Sequence, residues 1–503
     1  MAEQADERPH LILIMTDQQR TDTVGAWGCD HMDTPHMDRL AREGISFRRA
    51  FCPGATCVAS RAAIFTGMYP HNTGVYAFND WAHHRNWVQD LADGGYWCVN
   101  IGKMHFMPHA EPGGFHERVP VENPTNGFLA GGGADDEWGR FLSLNGQQRP
   151  YDRHLSDPQW RQKYQGVAWD LDERFHSDVY IGDSAVSWIR SHRGEKPLFL
   201  QVGFTGPHEP WDPLPRHLEL YEDRPVPAPV GLDGALEGKP PQHEEHKRRL
   251  REALAHHESG IDMYSPDAQD IARMRRHYYA KTTTVDEQLG KVLGALEEKG
   301  YLENSLLVFC SDHGELLGDH TLAYKWLMYD PVVHVPLIVR DSRNPGLAGR
   351  QTEDLVSLMD LGPTLLQAAG LEAPGYLEGR SLDPYIGGAG GEAEPRRWVF
   401  AEDSYQIMMR GERHKLVYYI GQDQGELYDL EADPHETENL WDEPGHSGLR
   451  HELQGLLLRW LASSNYFNAG YKRGGQRRSP MPWPGPDNAS LTRAAGAERP
   501  VDL

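Results

Sequence analysis

Apolar residues fall in short unbroken runs: Leu11 to Met15, Leu198 to Phe204, Leu306 to Cys310 and Val335 to Val339. A run without alternation is how a strand reads when both of its faces are buried. Between the runs the spacing changes to a helical period, over Asp178 to Arg190 and Ala280 to Lys299. Strands alternating with helices predict an α/β architecture with a mainly parallel sheet. Three runs end in polar clusters: Thr16-Asp17-Gln18, Thr205-Gly206-Pro207-His208 and Ser311-Asp312-His313. Ligands in open α/β sheets bind outside the carboxyl ends of the strands, so these clusters are expected to meet at one site.

The pattern changes along the second half of the chain. Pro225 to Ile261 is dense in Pro, Gly, His and charge, and reads as a surface excursion near the site with a short helix in its second half. Past Gly387 to Glu392 come strand-like segments at Trp398 to Ala401, Tyr405 to Arg410 and His414 to Tyr419, then an amphipathic helix at Leu449 to Ser463. These predict a small C-terminal α+β unit. From Asn465 the chain is rich in Pro, Arg, Gly and Asn, the composition of an extended arm or a disordered tail. The expected division is a catalytic domain at 1–390, a small domain at 391–464 and an arm at 465–503.

Composition narrows the classes of partner. Fifty basic and 74 acidic side chains among 503 residues leave a net charge of −24, which disfavours nucleic acid as a partner. A small anionic substrate remains compatible, because local lysine, arginine or metal charge outweighs a distant acidic surface under salt screening. The apolar run at Leu11 to Met15 is far too short for a signal core or a membrane span, and no other stretch reaches spanning length. The five cysteines Cys29, Cys52, Cys57, Cys98 and Cys310 argue against a disulfide framework. These features predict a cytoplasmic, reduced protein without membrane attachment.

The sharpest chemical signal is Cys57-Val58-Ala59-Ser60-Arg61, continuing to Thr66-Gly67, where a cysteine opens a helix-like segment with Arg61 one turn on. A thiol at a helix N-terminus beside a cation is set for reactivity, although a lone cysteine is more often inert packing. Asp17, Gln18, Asp312 and His313 offer carboxylate, amide and imidazole donors at two strand ends, a set that suits calcium, magnesium or manganese better than a thiolate zinc site. A single strand-end Asp would read as a helix cap; two such ends favour a metal. Trp81, His83, His84 and Trp87 read equally as a pocket wall or as core with a polar edge.

The stretch from Cys57 resembles the sulfatase signature C-x-P-S-R followed by T-G, in which the cysteine is oxidised to formylglycine. Further motifs resemble that family in order: Asp17-Gln18, Gly102-Lys103-Met104-His105, Gly206-Pro207-His208, Ser311-Asp312-His313-Gly314, Lys325 after Gly318-Asp319-His320, and the closing Glu426 to Leu430 with Asp433-Pro434 and Asn439-Leu440. The resemblance implies an alkaline-phosphatase-like sandwich, with a mixed, mainly parallel sheet between helices and a small C-terminal sheet beside it. It implies one divalent metal ion, Ca²⁺ or Mn²⁺ with Mg²⁺ as an alternative, held by Asp17, Gln18, residue 57, Asp312 and His313. His313 stands where many sulfatases carry Asn; relatives with His here include choline-sulfatase-like and phosphonate-monoesterase-like enzymes.

The same resemblance implies a mechanism. Hydrated formylglycine at position 57 attacks the sulfur of a small anionic sulfate monoester, and the resulting covalent sulfate hemiacetal collapses to release sulfate. Arg61, Lys103 and Lys325 supply positive field, with both lysines on the sulfate oxygens. His208 protonates the leaving oxygen and His105 is the base toward the hemiacetal, while Asn79 is a further substrate contact. A formylglycine-generating maturation enzyme is an implied partner, and Ala59 departs from the signature's Pro, which would hold that backbone extended. A homo-oligomer, dimer or tetramer, is expected, with the arm wrapping a neighbour. The alternative reading is a phosphonate monoester or phosphate diester hydrolase with the same nucleophile, promiscuous toward sulfate esters. A Ser or Thr nucleophile with two metals fits less well, and a non-catalytic oxyanion-binding protein with unconverted Cys57 stands furthest.

Overall fold

The strand β1 (His10–Asp17) shows why the apolar runs do not alternate. Leu11, Leu13 and Met15 belong to the core on one face of the sheet, and Ile12 and Ile14 to the core on the other. Both faces are covered, so from Leu11 to Asp17 no position of this strand is left for a solvent-facing side chain. The computed structural model describes residues 8–77, 79–109, 111–122, 136–150, 166–232, 236–254, 260–264, 266–387 and 393–468.

Eight further strands join β1 in one sheet: β2 (Ile45–Phe51), β3 (Trp97–Gly102), β4 (Glu117–Pro120), β5 (Leu198–Pro207), β6 (Ser305–Ser311), β7 (His334–Val335), β8 (Leu337–Asp341) and β9 (Arg350–Ser357). Their order is β4-β3-β5-β1-β6-β8-β2-β7, with β9 also paired to β2. β4, β3, β5, β1 and β6 run parallel, and β8 is antiparallel to both β6 and β2. The expected single run Val335 to Val339 is therefore two short strands, broken at Pro336, which has no N–H for the ladder. Both pair antiparallel to β2.

Helices Ser177–Ser191 and Ala268–Glu298 pack on one another and on β5. The second begins twelve residues before the expected Ala280, with Asp267 and Asp270 forming a capping box at its start. Its first turns look polar because Arg275 sits there, yet that guanidinium is buried. It donates to Asp319 at 2.6 Å and to the Leu317 carbonyl at 3.0 Å, and pairing of this kind makes a buried charge tolerable. Among the described residues no helix is long and apolar enough to cross a membrane.

The second sheet is an antiparallel meander: β10 (Val399–Asp403), β11 (Gln406–Arg410), β12 (His414–Tyr419) and β13 (Gly425–Asp429). It confirms the small C-terminal α+β unit and adds β13. The closing helix Ser447–Phe467 runs past Asn465, so the expected arm does not begin there. The remainder of the arm and the expected boundary at 390/391 lie outside the described residues. Ser464 ties this helix to the first sheet's domain through His71 Nε2 at 2.7 Å and Asn72 Nδ2 at 2.8 Å, while His71 Nδ1 faces Glu402 of β10 at 2.5 Å.

Candidate active site

The three strand-end clusters meet. Asp17 ends β1, His208 follows β5, and Asp312 and His313 follow β6. The end of β3 adds Lys103, whose Nζ lies 2.7 Å from Asp17 Oδ2. The helix Cys57–Thr66 points its N-terminus at the same place, and all of its residues are buried. Gly54 is what lets the chain enter this helix: a Cβ there would lie 2.8 Å from the Ser60 nitrogen.

Arg61 ties the motifs to one another. Its Nε donates to Asp312 Oδ2 at 2.6 Å, one terminal nitrogen to the Lys103 carbonyl at 2.8 Å, and the other to Asp17 Oδ2 at 3.3 Å. The guanidinium was expected to supply field beside residue 57; its donors are spent on the protein, which makes it a positioning residue. Ser60 Oγ adds a bond to the Asp312 carbonyl at 2.6 Å.

One small volume is left without internal partners. Asp17 Oδ1 and His313 Nε2 are buried and make no hydrogen bond, and ligand atoms of Asp17, Cys57 and His313 lie within 4.8 Å of one another. His313 Nδ1 donates to the Gly314 carbonyl at 2.9 Å, so in the neutral ring the lone pair is on Nε2. Burial lowers the His313 pKa, against the opposing pull of Asp312, and keeps the ring neutral. Asp312 Oδ1 accepts from the backbone of Gln18 at 3.1 Å and of His313 at 2.9 Å. Gln18 holds a positive φ of 64°; its Oε1 accepts from Lys325 Nζ at 2.7 Å and its Nε2 donates to Glu209 at 2.9 Å and Glu315 at 2.5 Å.

The electrostatics keep buried charges of both signs in place. Burial works to raise the Asp17 pKa, but Lys103, His208, Lys325 and Arg61 hold it well below the carboxylate range. Lys325 stays charged because Cys57, Asp17, Glu209 and Asp312 outweigh its burial, and its Nζ stands 3.9 Å from Cys57 Sγ. The thiol itself is not poised: burial raises its pKa despite Lys325 and Lys103, contrary to the reactive setting expected from its place on the helix. Burial also drives His208 down to about 3, although Glu209 opposes it. His208 Nδ1 meets the Glu209 carbonyl at 2.8 Å and its carboxylate at 3.2 Å. His105 is held well below its usual value by burial and by Lys103 and Arg61, with Glu122 3.6 Å from Nε2.

The model of the Sulfatase family matches residues 9–371. This chain belongs to the sulfatase family. A second family model, N-sulphoglucosamine sulphohydrolase, C-terminal, matches residues 318–462. The sulfatase is 28% identical over 476 residues to an arylsulfatase of Clostridium perfringens, covering 90% of this chain and 94% of that protein. It is also 28% identical over 514 residues to an N-acetylglucosamine-6-O-sulfatase of Bacteroides thetaiotaomicron, covering 90% and 86%. Among solved structures, phosphonate monoester hydrolase of Agrobacterium radiobacter matches with a TM-score of 0.75 at 25% identity, covering 91% of the sulfatase and 96% of that chain.

One further expectation for this sulfatase changes in the structure, and one open reading is settled. Asn79 is exposed, and the bond recorded for it is from its backbone to the Ala77 carbonyl at 2.7 Å; it does not join the buried cluster. Trp81 and Trp87 are core. Trp81 acts on the site indirectly by donating to the His105 carbonyl at 2.8 Å, while His83 is exposed and its ring lies tilted against that of His84.

A cleft of about 860 Å³ opens from Cys57 and Lys325 to the surface. The excursion helix Gln242–Ala253 forms one wall, and the tip between β10 and β11 forms another, with Asp403, Tyr405 and Gln406. Sequence reasoning missed Glu209, Glu315, Asp403 and Gln406. Glu209 and Glu315 each lie within two residues of a motif histidine, a signal that was available. Asp403 and Gln406 sit in no motif.

Proposed function

We propose that this sulfatase hydrolyses sulfate monoesters, with a formylglycine derived from Cys57 as nucleophile and one divalent cation as cofactor. The observation that carries the reading is the pair of buried, unpartnered acceptors Asp17 Oδ1 and His313 Nε2 beside Cys57 Sγ. Unsatisfied buried acceptors are costly, and a cation relieves both at once. Asp17, Asp312, His313 and residue 57 would hold the metal, with Gln18 at its rim; a carboxylate-rich set with one imidazole suits calcium, manganese or magnesium. Formylglycine and the metal together would supply an activated oxygen nucleophile and withdraw charge from the transferring group.

The chain's own residues do the rest. Lys103 and Lys325 neutralise the ester's anionic oxygens at the buried floor of the cleft, where fixed charges act more strongly than in bulk water. Glu209 orients His208 through Nδ1, leaving Nε2 to exchange a proton with the leaving oxygen; an entering anion raises the pKa of that ring toward the working range. His105, neutral at rest, suits the base. The likeness to phosphonate monoester hydrolase supports a second activity in the same site, because the two transferring groups share geometry and differ chiefly in charge.

The test is the mass of the Cys57 tryptic peptide from protein made with a formylglycine-generating enzyme, followed by turnover of 4-nitrophenyl sulfate and a phenylphosphonate ester. A peptide about 18 Da lighter and sulfate release that is lost on chelation and restored by Ca²⁺ or Mn²⁺ are expected. Turnover by protein whose Cys57 remains a thiol would refute the nucleophile.

A further inference from the structure

Glu122, just past β4, is a buried carboxylate whose side chain faces two imidazoles. Its Oε1 and Oε2 both accept from the His105 backbone N–H, at 3.2 and 3.1 Å, and Oε2 lies 3.6 Å from Nε2 of the same residue. Oε1 lies 3.6 Å from His109 Nδ1. The segment is fixed from behind, since the Glu122 backbone N–H donates to Asp136 Oδ2 at 2.7 Å and Arg149 holds Asp136 Oδ1 at 2.5 Å.

His105 is over-determined by this arrangement. It has a φ of 55°, a left-handed conformation that costs energy for a residue with a side chain and persists where the surroundings impose it. Glu122 takes its N–H, and the Trp81 indole donates to its carbonyl at 2.8 Å. A glutamine would serve that N–H equally well through its amide oxygen. A carboxylate only 3% exposed is costly, and what it adds over the amide is charge beside the ring. Burial, Lys103, Arg61 and Lys325 all disfavour a proton on His105, and Asp17 opposes them; Glu122 places a second negative charge against the same imidazole.

We propose that Glu122 is the positioning residue of a His105–Glu122 dyad, which sets His105 up as the base for the second half of the reaction. Facing Nε2, the carboxylate favours the tautomer that carries its proton there, and the lone pair is then on Nδ1. The proton of the residue-57 hydroxyl passes to Nδ1 while Nε2 keeps its own. The electron pair left on that oxygen forms the carbonyl as the carbon–oxygen bond to sulfate breaks, and sulfate departs with the electrons of that bond. The imidazolium is stabilised by the Glu122 carboxylate beside it until it returns the proton to water.

The inference rests on the sulfate-ester reading with His105 as base, and the experiment separates the two. Converted, metal-loaded protein is assayed with 4-nitrophenyl sulfate, recording the first turnover and then kcat and kcat/KM against pH. Glu122→Gln keeps the acceptor for the His105 N–H and removes the charge. It is expected to lower kcat by roughly ten- to a hundredfold, to lower KM with it and leave kcat/KM in place, and to release a burst of about one 4-nitrophenol per active site before the slow phase. The acidic limb of its kcat profile moves to lower pH, because the ring binds a proton more weakly without the carboxylate. His109 is the opposite perturbation: Glu122 raises its pKa, with Arg118 and Asp136 as the other charges acting on it. His109→Gln removes a competitor for Glu122, so the acidic limb moves to higher pH; its side chain is 22% exposed, and the variant keeps the test alive if Glu122→Gln folds poorly. A Glu122→Gln protein whose kcat and kcat/KM fall together without a burst, or limbs that stay with the parent in both variants, overturns the dyad while the sulfatase reading stands. A His105→Gln protein with parental kcat removes the base and the dyad together, and failure of the converted parent to turn over any sulfate ester removes the sulfatase reading itself.

Discussion

Replacing Arg61 by Met tests whether one buried cation holds the site together. The side chain is fully buried with Asp17 and Asp312, and Met roughly conserves its volume, so the change is electrostatic and directional. Breaking a buried ion pair costs about 3–5 kcal/mol. The Lys103 carbonyl, which accepts from Arg61 at 2.8 Å, loses this donor at about 1–3 kcal/mol more. Protonation of Asp312 offsets part of this, since Gln18 and His313 still donate to its Oδ1. A net loss of about 5 kcal/mol is expected, a large fraction of the roughly 5–15 kcal/mol that stabilises a typical protein. With an unfolding entropy of about 2.1 cal/mol/K per residue, the Tm falls by about 5 °C. Differential scanning fluorimetry reads this directly, with and without Ca²⁺ or Mn²⁺. Because Asp17 and Asp312 lose their counter-charge, added cation should raise the Tm of the variant more than that of the parent. Arg61→Lys should recover only part of the loss, because an ammonium lacks the fork that reaches both carboxylates. A variant within about 1 °C of the parent, with the same response to cation, would refute the reasoning.

Asp403 gives a pH signature. Burial pushes its carboxyl up to about 7 against about 3.9 in the unfolded chain, so the folded state holds the proton over that interval. Stability present below about pH 4 is lost as pH rises through about 7. Asp403→Asn has no proton to lose, so its Tm should gain on the parent between about pH 5 and pH 8; about 4 kcal/mol is the ceiling and about 1–2 kcal/mol the expectation where water reaches the cleft. A pH-independent difference would contradict this. Ser464→Ala removes a hydroxyl shared by His71, Asn72 and Glu378, and should cost about 1–3 kcal/mol, loosening the C-terminal helix first. Hydrogen exchange confined to Ser447–Phe467 would show it, and uniform protection there would not fit.

Local burial was legible in the linear pattern. Leu11 to Met15 reads as a two-faced strand because each side chain's burial depends on its own strand, and both faces are covered along its whole length. The polar residues following β1, β5 and β6 were readable for the same reason: a parallel sheet puts the ends of its strands at one edge, whatever their separation in sequence. Cys57 and the metal-type donors were legible as residue types, and their assembly follows from that edge.

What only the tertiary structure decided depends on partners far away in the chain. Arg61 looks like a catalytic cation until Asp312, Asp17 and the Lys103 carbonyl are seen to consume its donors. Arg275 looks like a surface residue until Asp319 is beside it. Asp403 and Gln406 carry no motif, since their meaning comes from a hairpin tip placed against the segment that delivers Cys57. Spacing encodes which face a side chain takes. Whether a polar atom there is satisfied, paired or left open to a ligand depends on a second segment of chain, and only the folded arrangement brings the two together.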